Sequence, residues 1–159
     1  MPRGPLKGCP INDEARKSRG DQKIVKETMK VISKSWLVGF TEAEGSFYLV
    51  LKGPERLVHA FELTQKLDRI VLEGIAKILH MNVTDKKTYS TVVTSNKTTI
   101  IHIIDYYRDT MKGMKSLEYR IWSRSFSKKK QDYTTLMKTR ELMRSIRSIR
   151  LDKNFKIKE

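Results

Sequence analysis

The spacing of hydrophobic residues along this chain changes several times, and each change predicts a new structural element. Apolar side chains recur at helical spacing over residues 36–44 and again over residues 65–79. Between these segments they alternate with polar ones over residues 46–52 and 57–64, on either side of a Gly-Pro turn. This part of the chain therefore predicts a helix, a β-hairpin and a second helix.

The second half of the chain predicts two shorter strands and three helices. The strands are expected over residues 82–87 and 89–95, and the polar cluster that follows can cap a helix over residues 97–108. Two further helices are expected over residues 116–126 and 133–151. This order of elements predicts an α+β fold with a four-stranded antiparallel sheet and helices on one face.

Residues 1–30 differ in composition from the rest of the chain. They hold three of the four prolines, three of the eight glycines and many charged residues, which is typical of a flexible basic arm. Asp13 and Glu14, together with the lack of a long apolar stretch, argue against a secretory signal. We therefore expect an arm over residues 1–30 and a folded domain over residues 31–159.

The charge balance limits the partners of the protein. With 33 Lys and Arg against 18 Asp and Glu, the formal net charge is +15 and the pI is near 10.0, which favours nucleic acid. A membrane span is not expected, because no apolar run approaches roughly 20 residues. A membrane surface is not expected as a partner either, because no predicted helix combines a basic face with a broad apolar face that bears Trp or Phe. Cys9 is the only cysteine, which excludes an intrachain disulfide and a cysteine-based zinc site.

The first predicted helix has unusual chemistry. Gly39 and Ala43 lie four residues apart on one face and leave a groove into which a second backbone could fit closely. Glu42 and Glu44 lie near its C-terminal end, where the helix dipole disfavours acids, so we expect a cation to offset their charge. Gly45 is expected to end the helix in the left-handed conformation.

Residues 37–45 closely resemble the LAGLIDADG motif of homing endonucleases and intron maturases, with the sequence Leu-Val-Gly-Phe-Thr-Glu-Ala-Glu-Gly. Four positions match the consensus outright, whereas Glu stands at both acidic positions where the consensus has Asp. The motif occurs once, and family members with one motif form homodimers. The resemblance implies an αββαββα half-domain with extra C-terminal helices, and a dimer interface formed by Trp36, Gly39, Phe40 and Ala43.

The resemblance also implies an active site that hydrolyses phosphodiester bonds with a divalent metal. Glu44 corresponds to the metal-binding catalytic acid of the family, and Glu42 to an acid that is less directly catalytic; both are expected to be metal ligands. The implied cofactor is Mg²⁺ or Mn²⁺, since carboxylate oxygens are hard ligands that suit such cations. Glu in place of Asp extends each carboxylate by one methylene group.

Three residues outside the motif correspond to other parts of the family's active site. Gln65 and Arg69 match the glutamine and the basic residue that orient water and the scissile phosphate. Lys115 matches a lysine that stabilises phosphate charge, with Lys112 as the alternative because the alignment crosses loops of uncertain length. Their presence favours an active nuclease over a decayed relative.

Nucleic-acid recognition is expected on the sheet face opposite the helices, because an antiparallel ribbon fits the major groove of DNA. Val50 and Ala60 could contact thymine methyl groups. Glu62 could accept from cytosine N4, and Lys52 could reach guanine or phosphate. The residues of the first two strands expected to contact DNA are Ser46, Tyr48, Val50, Lys52, Ala60 and Glu62, together with Lys66 just after them. Lys86 and Lys87 are expected to do so from the third strand, and Tyr89 from the start of the fourth.

These features predict a site-specific homing endonuclease that makes metal-dependent double-strand breaks in DNA as a homodimer. The alternative is a non-cleaving RNA-binding protein or intron maturase of the same lineage, which the double Glu and the basic termini leave open. A third interpretation makes the chain the C-terminal half of a two-motif protein, with residues 1–30 as linker. The family's frequent occurrence in organelle introns implies a mitochondrial or chloroplast location.

Overall fold

Six helices and four strands are present in residues 13–129 and 132–151, the parts of the chain that the computed structural model describes. None of the helices in these ranges is both long enough and apolar enough to cross a membrane. The helices are α1 (Asp13–Val31), α2 (Lys34–Glu44), α3 (Arg69–Leu79), α4 (Lys97–Tyr107), α5 (Gly113–Ser127) and α6 (Tyr133–Leu151). The strands are β1 (Gly45–Gly53), β2 (Arg56–Gln65), β3 (Val83–Asp85) and β4 (Ser90–Thr94).

The four strands form one antiparallel sheet in the order β1-β2-β4-β3, which confirms the predicted α+β class. Gly45 at the start of β1 pairs with Leu63 of β2. Gln65 at the end of β2 pairs with Ser90 at the start of β4. The end of α2, the end of β2 and the start of β4 therefore lie at the same end of the sheet.

The helices cover one face of the sheet and bury its apolar side chains. Phe47 of β1 lies at the centre of this core, with its ring centroid 5.0–6.0 Å from those of Phe61, Tyr107, Tyr119 and Trp122. Each fully buried aromatic side chain contributes about 1.5–3 kcal/mol of hydrophobic free energy. A one-residue slip of β1 would turn Phe47 to the other face, so the core also fixes the strand register.

Side-chain caps set where three of the predicted helices begin. The Ser33, Asp68 and Asn96 side chains each accept from the backbone N–H three residues later, at 3.1 Å, ahead of α2, α3 and α4. The cap on α4 was predicted from the polar cluster and is confirmed. Helix α3 was expected to begin at Gln65, but the Asp68 cap delays it to Arg69.

Residues 13–31 form helix α1, which corrects the prediction of a flexible arm for that part of the chain. A Cβ at Gly74 of α3 would lie 3.1 Å from Ile32 Cδ1 and 3.4 Å from Thr28 Cγ2, so the end of α1 packs closely on α3. The three prolines that suggested an arm all precede residue 13, and averaging over residues 1–30 concealed the helix. Residues 1–12 of the predicted arm lie outside the described residues.

A buried histidine links the sheet to α5. His59 of β2 is 4% exposed, and its Nε2 lies 2.7 Å from the Ser125 hydroxyl. The rings of Trp122 and Phe126 pack edge-to-face against the imidazole. Burial lowers the pKa of His59 from 6.5 to about 4, so the folded chain keeps this side chain neutral where an unfolded chain protonates it.

Stability is expected to fall as the pH drops from 7 to 4. Below about pH 6.5 the unfolded state binds a proton that the folded state excludes until about pH 4, which lowers the free energy of unfolding by roughly 3 kcal/mol. Urea unfolding of the wild type and of His59→Gln, at fixed protein concentration, measures this loss. The variant should lose correspondingly less stability over the same range, and an equal loss in both proteins would contradict the assignment.

Candidate active site and nucleic-acid interface

The inner face of α2 is fixed in the core. Leu37, Val38 and Thr41 are buried on this face. The Thr41 hydroxyl lies 2.6 Å from the hydroxyl of Tyr107 on α4, and burial raises the pKa of Tyr107. Because both hydroxyls are buried, this bond orients α2 about its own axis and determines which residues face outward.

The outer face of α2 carries the four residues predicted for a dimer interface. The Trp36 and Phe40 rings stack with their centroids 5.1 Å apart. Gly39 and Ala43 are exposed, and nothing lies within 4 Å of where a Cβ at Gly39 would be. In a single chain these residues form one stripe with two aromatic rings and a gap lined by small residues.

Helix α2 passes into strand β1 at Gly45 without an intervening loop. The Gly45 backbone is extended, with φ −82° and ψ 154°, so the predicted left-handed helix end is wrong. A Cβ at this position would lie 2.6 Å from both the backbone oxygen and Cγ2 of Thr41. Glycine is therefore required here for a close approach of the backbone.

Glu44, the last residue of α2, is exposed and lines an open cleft of about 250 Å³. The cleft lies where the start of β1 meets α5 and α6. It contains two of the predicted catalytic residues, and its lining comprises Ala43, Glu44, Gly45, Ser46, Lys115, Glu118 and Arg147.

A group of three charged side chains forms part of this cleft. Lys115 is 6% exposed; its Nζ donates to the Gly45 carbonyl at 2.6 Å and lies 3.2 Å from Glu118 Oε2. That second contact is an ion pair without hydrogen-bond alignment. Glu118 is 2% exposed, and its Oε1 accepts from Arg147 Nε at 2.8 Å. Arg147 Nη2 also donates to the Phe47 carbonyl at 2.5 Å.

Sequence reasoning identified Lys115 but missed Glu118, and it treated Arg147 only as one of a basic series that contacts the DNA backbone or forms a solvated face, without placing it in this site. Helix α5 begins at Gly113 rather than at the predicted residue 116, so Lys115 lies in its first turn. The three-residue spacing of Lys115 and Glu118 is a helical ion-pair pattern that could have been recognised. Arg147 lies 29 residues from Glu118 and 100 from Phe47, so no local pattern reveals its contacts.

Glu42, the other acid of the motif, does not line the cleft. Its Oε1 accepts from the backbone N–H of Lys112, the residue that precedes α5. Lys112 makes no side-chain cap of its own, so the Glu42 carboxylate serves the N-terminus of α5, where the helix dipole favours an acid. The negative charge of Glu42 is therefore offset by the partial positive charge at the N-terminus of α5.

Gln65 and Arg69 lie at the end of β2 and the start of α3, outside the lining of the Glu44 cleft. The Gln65 Oε1 accepts from the backbone N–H of Lys66 at 2.8 Å. Arg69 contacts Asp85 at 2.9 Å and Glu73 at 2.7 Å, and its hydrogen bond to Asp85 raises the pKa of Arg69. These two predicted residues thus lie at the same end of the sheet as Glu44, but in a separate cluster of polar side chains.

The donor set of the cleft suits a hard cation. No group of three or more His, Cys, Asp or Glu side chains in residues 13–129 and 132–151 is placed to hold a metal ion by itself. Glu44 offers one exposed carboxylate. Mg²⁺ is commonly held by one or two carboxylates together with water and substrate phosphates, so this arrangement fits Mg²⁺ better than a metal that needs a protein cage.

The sheet face opposite the helices carries three hydroxyl groups around Glu62. The Tyr48 hydroxyl donates to Glu62 Oε2 at 3.2 Å. The Thr91 and Thr64 hydroxyls lie 3.1 and 3.4 Å from Oε1. Burial, followed by the Glu62 charge, raises the pKa of Tyr48 to about 12, so its phenol remains a donor. Thr64 and Thr91 were missed, although strand alternation places Thr64 on the face of Glu62.

The other predicted recognition residues of β1 and β2 lie on or beside this face. Ser46 and Val50 are half-buried, and Lys52 and Lys66 are exposed. Ala60 lies opposite Tyr48 in the strand register but is 1% exposed. Because its side chain is almost fully buried, the predicted contact between Ala60 and a thymine methyl is not available in this structure.

Lys86, Lys87 and Tyr89 are exposed and lie between β3 and β4, not in the strands as predicted. Strand β3 ends at Asp85, and the Lys86 N–H donates to the Tyr89 carbonyl at 2.8 Å to close the turn. The Asp85 carboxylate also accepts from the Ser90 hydroxyl at 2.7 Å. The two lysines are thus displayed at a hairpin tip, where charged side chains have access to a partner.

Comparison with known proteins places the chain in a family. The LAGLIDADG endonuclease model matches residues 37–126, which is more than half of the chain. The chain is 38% identical over 128 residues to the probable intron-encoded endonuclease Cox1-I1b of Schizosaccharomyces pombe, with 75% of this chain and 33% of that protein covered. This chain belongs to the LAGLIDADG endonuclease family and carries a single copy of the motif. It spans about a third of the length of the named relative.

Solved structures of homing endonucleases share the fold. The archaeal intron-encoded enzyme I-Vdi141I, complexed with DNA, aligns with a TM-score of 0.62 at 21% identity over 79% of this chain and 88% of that one. I-CvuI, in complex with a DNA target in the presence of Mg, aligns with a TM-score of 0.60 at 18% identity, over 78% and 85%. At these identities the likeness shows the fold alone, and it confirms the predicted half-domain.

Replacing Gly45 with alanine is expected to destabilise the protein by about 1–3 kcal/mol, because the added Cβ would press on the Thr41 backbone oxygen. Gly53→Ala at the other end of β1 is the matched control, since a Cβ there meets nothing within 4 Å. Urea unfolding measures both variants. Equal midpoints for Gly45→Ala and Gly53→Ala would show that the junction tolerates a side chain.

Proposed function

We propose that this chain is a site-specific homing endonuclease that makes double-strand breaks in DNA as a homodimer, with Mg²⁺ as its cofactor. The observation that carries the proposal is the position of Glu44. This exposed carboxylate ends the motif helix and lines an open cleft together with the cationic Lys115 and Arg147. An acid beside cations and next to a sheet end suits a metal-assisted reaction at a phosphate.

In this proposal Glu44 holds the metal, which supplies an activated water and stabilises charge on the phosphate when bound. Lys115 adds positive charge beside it. Glu42 has a supporting role, because its carboxylate holds the start of α5, the helix that carries Lys115. Because Glu42 is engaged at α5, Glu44 would be the carboxylate of the motif that holds the metal.

Gln65 and Arg69 are proposed to orient water and the backbone phosphate at the end of β2. Arg69 is half exposed, and its contacts with Glu73 and Asp85 are surface ion pairs. Such pairs contribute only about 0–1 kcal/mol, so exchange of an acidic partner for a DNA phosphate costs little. Gln65 would likewise have to release the Lys66 N–H before its amide could reach a water molecule.

The open sheet face is proposed to read base edges in the major groove. Tyr48, Thr64 and Thr91 hold Glu62 in a fixed position on this face. A fixed carboxylate can accept a hydrogen bond from cytosine N4. The relatives I-Vdi141I and I-CvuI are described in complexes with DNA, which supports DNA as the partner of this face.

Assembly is proposed to use the outer face of α2. A single chain supplies one exposed carboxylate to its cleft, whereas cleavage of two strands requires two such sites. The open space at Gly39 allows two copies of α2 to approach closely. An organelle location is also proposed, since the Schizosaccharomyces pombe relative is named as intron-encoded, and fractionation of host cells would test it.

Glu44→Gln is expected to abolish cleavage, with a loss of at least about 100-fold, because the amide removes the charge that holds the metal. Plasmids carrying candidate intron-insertion sites, incubated with Mg²⁺, provide the assay. The matched control is Glu42→Gln, which changes an acid of the same helix outside the cleft. It should retain cleavage and lose stability only modestly, since its amide oxygen can still accept from Lys112.

Specific binding with no cleavage of any site by the wild type would overturn the nuclease assignment. Equal cleavage by the wild type and Glu44→Gln would instead overturn the role of Glu44. Tight binding to intron RNA, with no binding to DNA, would favour the RNA-binding alternative.

Gly39→Leu is expected to weaken dimerisation at least about tenfold while the fold of each chain persists. A Cβ at Gly39 meets no side chain or distant backbone atom of its own chain within 4 Å, so the fold has room there, but a leucine side chain would separate two copies of α2. Sedimentation of the wild type and the variant measures the effect, with unfolding midpoints as the control for folding. A wild type that is strictly monomeric and fully active would refute this interface.

A further inference from the structure

Helix α6 lies outside the part of the chain that matches the family model, yet it brings an arginine to the Glu44 cleft. The match ends at residue 126, and α6 spans Tyr133–Leu151. Arg147, in the second half of this helix, lines the cleft together with Glu44 and Lys115. The family motif gives no reason to expect a residue from α6 at this position.

Packing and hydrogen bonds fix the position of α6 and of this arginine. Leu136, Met143 and Ile146 of α6 are buried, and Leu136 packs with Leu49 of β1. The Arg147 guanidinium is then oriented by its bonds to Glu118 Oε1 and to the Phe47 carbonyl. A side chain held at both its Nε and Nη2 atoms has few alternative rotamers.

Arg147 retains donors that can serve a ligand. A guanidinium has five N–H groups, and two atoms of this one are used by the bonds to Glu118 and Phe47. The Arg147 side chain is 34% exposed, whereas Lys115 is 6% exposed. Of these two cations, Arg147 is therefore the more accessible to an anion that enters the cleft.

The same helix also borders an adjoining cleft on the β1 side. This second cleft has a volume of about 180 Å³ and contains Tyr48 and Val50, both predicted to contact bases. Arg144 and Arg140, one and two turns before Arg147, line it as well. Arg147 belongs to both clefts, so a row of arginines runs from the recognition face of β1 to Glu44.

We propose that Arg147 binds the DNA phosphate on which Glu44 acts, and that Glu118 is the positioning residue that aims it. The ligand is a phosphodiester of the strand that follows the arginine row. Planar guanidinium groups suit such oxygens because they donate two parallel hydrogen bonds. This inference rests on the proposed function, since it assumes DNA in the Glu44 cleft.

The test separates phosphate binding from a purely structural role. Arg147→Met removes the cation but leaves Glu118 with Lys115 alone, so a loss of stability is expected. The double variant Glu118→Gln, Arg147→Met removes one charge of each sign. The net charge of the group formed by Lys115, Glu118 and Arg147 therefore stays the same. The unfolding midpoint of this double variant should recover toward that of the wild type.

Binding is measured on a duplex recovered from a randomised library by binding selection, in EDTA so that no metal-dependent step occurs. The slope of log K against log salt concentration should be shallower by about 0.9 for each phosphate that is no longer bound. We expect this change both in Arg147→Met and in the double variant. In Mg²⁺ both should cleave at least about tenfold more slowly. Arg147→Lys keeps the charge and should show the salt dependence of the wild type. Lys138→Ala, on the exposed side of α6, is the matched control and should leave both the salt dependence and the cleavage rate unchanged.

Recovery of both the salt dependence and the cleavage rate in the double variant would overturn the proposal, because Arg147 would then act through stability alone. An unchanged salt dependence in Arg147→Met would overturn it as well. Should the double variant fail to fold, the comparison of Arg147→Met with Lys138→Ala decides, because each removes one cation of α6 and only the first should make the salt dependence shallower. Failure of the proposed function is distinguishable, since the wild type would then bind the selected duplex without cleaving any DNA.

Discussion

The direct passage of α2 into β1 at Gly45 is the constraint on which the rest of this site depends. With no loop between helix and strand, the Glu44 carboxylate has a position set by two rigid elements. The junction is possible because Gly45 lacks a side chain and lies against the Thr41 backbone. Thr41 is in turn fixed by its hydroxyl contact with Tyr107. The position of the acid thus follows from packing in the core.

The buried Glu118 carboxylate joins three elements at the same point. A buried charge is costly unless it is paired, and here two cations from α5 and α6 surround it. Each cation also binds a β1 carbonyl, Lys115 at Gly45 and Arg147 at Phe47. These bonds satisfy backbone groups at the exposed edge of the sheet. The same network that stabilises the edge therefore brings positive charge to the Glu44 cleft.

The fold was predictable wherever one periodicity dominated a segment. Alternation in β1 and β2 and helical spacing in α2 to α6 identified these elements, since burial of one face imposes such patterns. Helix α1 was missed because nearby prolines biased the composition. In the site, a local motif revealed Glu44. The contacts of Arg147 join positions 29 and 100 residues apart, and Glu42 serves a helix start 70 residues away, so only the tertiary fold reveals them.

In the proposed homodimer, assembly and chemistry are coupled through one short helix. Gly39, at the centre of the outer face of α2, precedes Glu44 by five residues, or about 7.5 Å along the helix axis. The closeness of two α2 helices at Gly39 and Ala43 would therefore set the separation of two Glu44 carboxylates. A larger side chain on that stripe would move both acids relative to the DNA, even though it touches neither. In that dimer, the absence of side chains at Gly39 and at Gly45 would serve one purpose, which is to place a carboxylate accurately at the end of a helix.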